Sequence, residues 1–231
     1  MSAISCRSLT KNYGNFTALN SLDLEVSSGR IVGLLGPNGS GKSTLIKLCA
    51  GLLKPTFGEL TVAGYPVGAE SKARVSYLPD RDYLPEHMRV NELLKMFSDF
   101  YPDFSMQRAM DMLTRLGIDF TKKFKTMSKG TREKVQLSLV MSRDAELYLL
   151  DEPIAAVDPA AREYILTTIL QNYREGAAVL ISTHLISDVE PILDDVIMLQ
   201  NGMLRIAGSA EQIRNESGRS IDALFREVYR C

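Results

Sequence analysis

The chain has 231 residues, 45% of them hydrophobic and 24% charged, and a formal net charge of −1 at pH 7. Its length suits one large α/β core, and its near-neutral charge excludes nucleic-acid binding through a global positive field, although local basic patches stay open. The three cysteines, Cys6, Cys49 and Cys231, match neither a disulfide framework nor the spacing of a metal site, so we expect a reducing cytosol.

The first residues, MSAISCRSLTKNYG, contain no apolar signal segment, and no apolar run approaches the ~20 residues that span a bilayer. We therefore expect any membrane contact to be made through a partner. Strand-like segments come first, at residues 3–9, 19–26, 30–35, 58–62 and 75–78. Residues 88–143 have almost entirely helical patterns, and strands then alternate with helices. This alternation predicts a parallel sheet with helices on both faces, interrupted by a helical insertion.

A glycine-rich segment follows the short apolar strand at residues 31–35 and leads into a helical pattern. It matches GxxxxGK[ST], the P-loop, in the strand-to-helix context that this motif requires. The candidate phosphate-binding residues are Gly36, Pro37, Asn38, Gly39, Ser40, Gly41, Lys42, Ser43 and Thr44. Lys42 would reach the β- and γ-phosphates, and the Ser43 hydroxyl would ligate Mg²⁺. The alternative is a glycine-rich turn that binds nothing.

The segment TMSKGTREKVQLSLVM predicts a helix that starts after the N-cap Ser128. Lys129, Arg132 and Lys134 crowd its first turns, where the helix dipole already presents partial positive charge. Each cation there is unfavourable by roughly 0.3–1 kcal/mol. Either this is an ordinary solvated helix start, or an anion binds there.

The segment ELYLLDEP contains two candidate acidic site residues, because its apolar strand ends in Asp151 and Glu152. A carboxylate at the carboxyl end of a parallel strand lies on the ligand side of the sheet. Asp151 would hold the Mg²⁺ shell, and Glu152 would polarise the attacking water. Taken alone, the pair could be plain solvated charge.

Five features occur in one order: the P-loop, the helical insertion, the SKG helix start, LLDEP and the later lone histidine of STHL. This order resembles the ATP-binding cassette (ABC) ATPases, the motor subunits of ABC transporters, over essentially the whole chain. The resemblance implies an α/β fold: a P-loop NTPase (RecA-like) core with an N-terminal antiparallel β-subdomain and an inserted α-helical subdomain at about 88–143. Residues 1–231 would form a single ABC ATPase domain.

The resemblance also assigns roles to single residues. KNYG would supply the adenine-stacking aromatic, Tyr13, and MSKGT lies where the family has its signature LSGGQ, with Ser128 and Gly130 contacting phosphate. AAVD resembles the D-loop, with Asp158. STHL would supply the switch histidine, His184, which binds the γ-phosphate through Nε2. Tyr13 could otherwise be a turn aromatic, and His184 a structural histidine.

Two departures from the family pattern stand out. Asp80 occupies the position of the usual Q-loop glutamine; it can ligate Mg²⁺ but cannot donate as an amide does. Lys129 and Thr131 replace the usual glycine and glutamine of the signature. This variant resembles an exporter-type branch whose ATPases serve separate membrane permeases.

The resemblance implies an ATPase with ATP and Mg²⁺ as cofactors and Glu152, His184 and Lys42 as catalytic residues. Two cassettes, in a homodimer or a heterodimer, would associate head-to-tail, so that the signature helix of one faces the γ-phosphate of the ATP held by the other. Lys129 and Arg132 would then lie next to that phosphate and gain from its negative charge. The dimer would drive a permease from the cytoplasmic face of the membrane, as an exporter, with no nucleic acid as a partner. The alternatives are a soluble non-transport ABC ATPase and a regulatory subunit that binds nucleotide without hydrolysis. The transported substrate is not encoded in this chain.

Overall fold

The computed structural model describes residues 2–155 and 157–229. Its strands are β1 (Ser2–Tyr13), β2 (Phe16–Ser27), β3 (Ile31–Leu35), β4 (Phe57–Val62), β5 (Tyr65–Pro66), β6 (Val75–Leu78), β7 (Leu147–Asp151), β8 (Ala178–Ser182), β9 (Asp195–Gln200) and β10 (Met203–Ser209). Its α-helices are α1 (Lys42–Cys49), α2 (Ala69–Ala73), α3 (Val90–Phe100), α4 (Met106–Arg115), α5 (Lys129–Met141), α6 (Pro159–Asn172), α7 (Ile186–Val189), α8 (Ala210–Ser217) and α9 (Ile221–Val228).

The larger sheet has the strand order β10-β9-β3-β8-β7-β6. The strands from β9 to β6 pair in parallel, as the alternation of strands and helices predicts. The edge strand β10 pairs antiparallel with β9 and was not among the predicted strands. Asn201 and Gly202 connect the two with φ angles of +51° and +74°. Positive φ at both central residues is typical of a tight hairpin turn, so this Asn-Gly pair was the missed signal.

The centre of this sheet is buried on both faces. Every residue of β3, β7 and β8 is buried, which explains why all of their residues are apolar except Asp151 and Ser182 at the ends of β7 and β8 and the hydroxyl of Tyr148. On one face the core includes Leu137 of α5 and Ile165 of α6. On the other it includes Leu45 of α1 and Leu9 of β1. The carboxyl ends of the three parallel strands therefore meet at one edge, where the chain leaves the core.

A second sheet, with the order β2-β1-β4-β5, forms the N-terminal antiparallel subdomain that the family resemblance implied. Cys6 of β1 pairs with Leu24 of β2 and with Leu60 of β4. All three side chains are buried in the core cluster that also covers one face of the larger sheet. The hairpin between β1 and β2 closes with Tyr13 opposite Phe16.

The helices α3, α4 and α5 lie within the stretch 88–143 that the sequence marks as helical. They enclose a core of their own, formed by Leu84, Val90, Leu93, Leu94, Phe97, Ala109, Leu113, Phe124, Val135 and Leu139. The limits of the helical subdomain and of the domain as a whole stay a prediction. Across the two described ranges, no helix combines the length and the apolar character that crossing a membrane requires.

Candidate functional site

The loop between β3 and α1 is shaped so that only glycine fits at two of its positions. Gly36 has a φ of +157°, and a Cβ there would lie 2.4 Å from Ser40 Oγ and 2.5 Å from the Leu199 carbonyl oxygen. Gly41 has a φ of +108°, and its Cβ would lie 2.7 Å from the Ala18 carbonyl oxygen. The loop therefore presents backbone rather than side chains at the start of α1, as a phosphate cradle must.

Lys42, the first residue of α1, folds back over this loop. Its Nζ donates to the carbonyl oxygens of Gly36 at 2.7 Å and Pro37 at 3.1 Å. Burial lowers the pKa of Lys42, while the nearby carboxylates of Glu152 and Asp151 act in the opposite direction. The ammonium group is thus held inside the cradle at the position where a phosphate would need a cation.

Asp151 ends β7 beneath the cradle and is fully buried. Its Oδ1 accepts hydrogen bonds from Ser43 Oγ at 3.1 Å and from Ser182 Oγ at 2.5 Å. Burial raises the pKa of Asp151, and the two hydroxyls counteract that rise. Its Oδ2 is buried and has no hydrogen-bond partner among the described residues. A buried carboxylate oxygen left without a donor is costly unless another group binds it.

The hydroxyl of Ser43 and the carboxylate of Asp151 fit the coordination that Mg²⁺ prefers. Mg²⁺ takes oxygen ligands, usually one or two from protein together with phosphate oxygens and water. In residues 2–155 and 157–229, no group of three or more His, Cys, Asp or Glu side chains could hold a metal by itself. Ser43 and Asp151 thus fit part of a magnesium shell.

Glu152 and His184 approach each other across the ends of β7 and β8. Glu152 Oε2 lies 2.9 Å from His184 Nδ1, so the ring's Nε2 is directed elsewhere. Glu152 has a φ of +54°, which is unusual for a residue with a side chain. Its backbone N–H donates to the carbonyl oxygen of Ser182 at 3.0 Å and to Ser182 Oγ at 3.2 Å.

Asp80 lies just after β6 and faces a cavity of about 250 Å³ that Glu152 and Lys129 also line. Burial is the main cause of the raised pKa of Asp151, and the charge of Asp80 adds to it. Asp80 is therefore within electrostatic range of the candidate metal-binding acid. Its role as a metal ligand stays a prediction.

Ser128 is the N-cap of α5, as the sequence predicts. Ser128 Oγ accepts from the Thr131 N–H at 3.3 Å. A Cβ added to Gly130 would meet no described atom within 4 Å apart from its chain neighbours and the nearby backbone of its own helix, so this turn is open to a ligand or a partner. The roles of Ser128 and Gly130 in binding phosphate stay predictions.

Two of the three cations near the start of α5, Arg132 and Lys134, have contacts within the chain. Arg132 NH1 lies 3.2 Å from Asp82 Oδ2, and Lys134 Nζ lies 5.7 Å from the centre of the Tyr164 ring. Arg132 therefore has an ion-pair partner within the chain, and its role next to a nucleotide stays a prediction. The sequence could not show this pair, because 49 residues separate its two members.

The β1–β2 hairpin places aromatic side chains beside the cradle. Tyr13 is 45% exposed, and Lys11 Nζ lies 5.3 Å from its ring centre. Phe16, for which the sequence predicted no role, pairs with Tyr13 and is 60% exposed. Residues directly opposite each other in a strand pair share a face, so both rings project on the same side. Phe16 begins β2, and the carbonyl oxygen of Ala18 in the same strand lies close to Gly41 of the cradle. The stacking role of Tyr13 stays a prediction.

Asp158 precedes α6, and its carbonyl oxygen accepts from the Arg162 N–H at 3.1 Å. The stretch AAVD is described at Ala155, Val157 and Asp158, whereas Ala156 lies outside the described residues. The D-loop role of Asp158 therefore stays a prediction.

Comparison with known proteins shows the family and the fold of the chain. The family described as "ABC transporter" matches residues 19–155, more than half of the chain. The chain is 32% identical over 213 residues to an uncharacterised ABC transporter ATP-binding protein of Synechocystis sp., covering 88% of this chain and 60% of that protein. It is 30% identical over 210 residues to the Nod factor export ATP-binding protein I of Rhizobium meliloti, covering 87% of this chain and 62% of that protein.

A solved structure described as the ATP-binding subunit of an ABC transporter superposes with a TM-score of 0.89 at 29% identity. The match covers 98% of this chain and 99% of that one. The fold is thus that of an ABC ATPase cassette. The chain spans about three fifths of the length of the two relatives named above.

Proposed function

This chain belongs to the ABC transporter family, and we propose that it is an ATP-hydrolysing subunit that uses ATP with Mg²⁺. One observation carries the proposal: a lysine in a phosphate cradle, a hydroxyl–carboxylate pair and a glutamate–histidine pair lie at one edge of the larger sheet. Phosphoryl transfer to water requires positioning and charge neutralisation more than covalent chemistry, and this set supplies both.

Each side chain has a separate task in the proposed reaction. Lys42 neutralises phosphate charge, and Ser43 with Asp151 would hold Mg²⁺, which supplies further neutralisation when bound. Glu152 accepts the proton of the attacking water. His184 holds Glu152 through Nδ1 and offers its other ring nitrogen to the γ-phosphate, since Nδ1 is already engaged. The contact with His184 uses Glu152 Oε2, so the other carboxylate oxygen can take the proton of the water.

A glutamine at position 152 tests the proposed base. Glu152→Gln keeps the size of the side chain and its contact with His184 but cannot take a proton at the amide. We expect ATP turnover to fall by at least ~10²-fold, the contribution of a positioned base, with ATP binding retained. Steady-state phosphate release and equilibrium binding of ATP measure the two effects.

Glu146→Gln is the matched control, because Glu146 precedes β7 as Glu152 follows it. Its carboxylate is largely exposed and lies 3.3 Å from Arg74 Nε. We expect this variant to turn over ATP at the parental rate. Parental turnover in Glu152→Gln would remove Glu152 from the mechanism. ATP binding without turnover in the parental chain would favour the regulatory-subunit alternative.

We also propose that two copies of the chain form the ATPase, each completing the other's site with Ser128 and Gly130. The open surroundings of Gly130 support this, because the start of α5 can meet a partner. Mixing two defective proteins tests it. Lys42→Ala disables the P-loop, and Gly130→Asp places a negative charge where a partner's phosphate would lie.

Each variant alone should be nearly inactive, since both sites of either homodimer carry a lesion. In the mixed dimer both lesions fall in one site, and the other site is intact, so activity should reappear on mixing at high protein concentration. Full activity of Gly130→Asp alone would end the signature assignment. Lys42→Ala should also lose the thermal stabilisation that Mg-ATP confers on the parental protein.

Finally, we propose a membrane permease as partner, export as the direction of transport and the cytoplasmic face of the membrane as the location. The name of the Rhizobium relative, a Nod factor export protein, supports export. Reconstitution with the co-encoded membrane protein should raise ATP turnover and retain the chain on vesicles. Unchanged turnover together with no retention would favour a soluble ABC ATPase instead.

A further inference from the structure

Ser182 is the one polar residue of β8, and its hydroxyl lies between the two acidic residues of the candidate site. The strand is otherwise Ala178, Val179, Leu180 and Ile181, all buried, and Ser182 itself is completely buried. A hydroxyl removed from water at this depth is unfavourable unless it is hydrogen-bonded. Here it makes two bonds, and both go to residues of the site.

The first bond orients the Asp151 carboxylate. Ser182 stands opposite Asp151 in the parallel register, and its Oγ donates to Asp151 Oδ1 at 2.5 Å. Ser43 Oγ donates to the same oxygen at 3.1 Å. Both hydroxyls therefore engage Oδ1, and Oδ2 is left for a group that the protein does not supply within its described residues. Without Ser182, the carboxylate would lose its shorter bond and could rotate about its side-chain axis.

The second bond holds the backbone of Glu152. The Glu152 N–H points at Ser182 and reaches its Oγ at 3.2 Å as well as its carbonyl oxygen at 3.0 Å. This peptide leads into the left-handed conformation of Glu152, with φ at +54°, which a residue with a Cβ adopts only when its surroundings hold it there. That conformation directs the Glu152 side chain to His184.

We propose that Ser182 is a positioning residue of the ATPase site, whose single hydroxyl orients the metal-binding carboxylate and the catalytic base together. This inference rests on the proposed function. It predicts that losing the hydroxyl weakens the response to Mg²⁺, whereas a purely structural serine would affect stability alone.

Ser182→Ala removes the hydroxyl with little change in volume. We expect the Mg²⁺ concentration for half-maximal stabilisation by ATP to rise about tenfold or more, since partners that orient metal ligands typically contribute 10–100-fold. Stabilisation by ATP in the presence of a chelator should stay at the parental value. Thermal shift at fixed ATP over a range of Mg²⁺ gives both readings without relying on turnover, and kcat at saturating Mg²⁺ should fall as well.

Ser76→Ala is the matched control. Ser76 is a buried serine of β6 in the same sheet, and its hydroxyl donates to the Val140 carbonyl oxygen at 2.8 Å. We expect this variant to lose a similar amount of stability and to keep the parental Mg²⁺ requirement, because it loses no bond that orients a metal ligand. Ser182→Cys, which keeps the size and a weak donor, should lie between Ser182→Ala and the parental protein.

The outcomes separate the two levels of inference. If the parental protein shows no Mg²⁺-dependent stabilisation by ATP, the proposed function fails. If it does, and Ser182→Ala has the same Mg²⁺ requirement as Ser76→Ala, the positioning role of Ser182 fails alone. If Ser182→Ala does not fold, the Ser182→Cys titration decides, and a parental Mg²⁺ requirement there overturns the proposal.

Discussion

Replacing Gln136 by leucine tests how residues 80–83 are held against α5. Gln136 is 3% exposed; its Nε2 donates to Asp82 Oδ1 at 2.8 Å, and its Oε1 accepts from the Tyr83 N–H at 3.2 Å. The other oxygen of Asp82 binds Arg132, so α5 engages both carboxylate oxygens. The substitution keeps the approximate size of the side chain and removes two of these three contacts.

The expected loss follows from the kinds of bond removed. A hydrogen bond to a charged group contributes ~1.5–3 kcal/mol and a neutral one ~0.5–1.5 kcal/mol. The Asp82 side chain is 31% exposed, so water can replace part of the first, and the apolar surface of leucine offsets more. We therefore expect Gln136→Leu to lower the free energy of unfolding by ~1–3 kcal/mol. For a chain of this size, each kcal/mol corresponds to a fall in Tm of roughly 2–4 °C.

Urea unfolding followed by circular dichroism measures this loss, with Gln107→Leu as the control. Gln107 Nε2 also donates to an aspartate, Asp111 Oδ1, at 2.8 Å, but this pair is exposed on α4 at a spacing of four residues. Such a pair contributes only ~0.2–0.5 kcal/mol. Equal losses in the two variants would refute the reasoning, because burial and the bond to Tyr83 would then contribute nothing.

Two further substitutions and one labelling experiment have defined outcomes. Asp80→Gln removes a negative charge near Asp151 and should tighten ATP binding or alter the choice of metal; identical ATP affinity and Mg²⁺ dependence would place Asp80 outside the site. Gly36→Ala should abolish stabilisation by Mg-ATP, whereas Gly64→Ala, also at positive φ (+79°) but with no described atom within 4 Å of its Cβ, should retain it. Burial raises the pKa of Cys6 to about 12 and raises that of Cys49 well above its usual value. Neither thiol should therefore react with iodoacetamide at pH 8 until urea unfolds the protein. Labelling of either thiol in the native protein would contradict their buried positions.

The parts of the fold that could be predicted are those encoded by neighbouring residues. β3 and the first four residues of β7 form unbroken apolar runs because both faces of the sheet are covered there. β10 was missed because its side chains are mostly intermediate or exposed and Arg205 interrupts its pattern. In such an edge strand, only the Asn-Gly turn carries a local signal.

The contacts that build the site join residues far apart in the chain. Glu152 and His184 each had a predicted role, but their contact depends on β7 and β8 being neighbours. Ser182 was missed for the same reason, since a serine ending an apolar strand has no local mark of function. The order of strands along the chain predicted which residues lie at this edge of the sheet, but the pairs of atoms in contact depend on the three-dimensional packing of β7 against β8.

The positive charges at the start of α5 interact unfavourably with the helix dipole, but a contact from a distant part of the chain changes the balance for Arg132. A cation in the first turn is unfavourable by ~0.3–1 kcal/mol, and a partly exposed ion pair contributes ~0.2–1 kcal/mol. The bond between Arg132 and Asp82 therefore offsets the dipole at Arg132 without a nucleotide. Lys129, by contrast, is the first residue of α5 and lines the cavity beside Glu152. In the proposed dimer, a phosphate at this helix start would gain from Lys129 and from the backbone N–H groups, while Arg132 continues to hold residues 80–83.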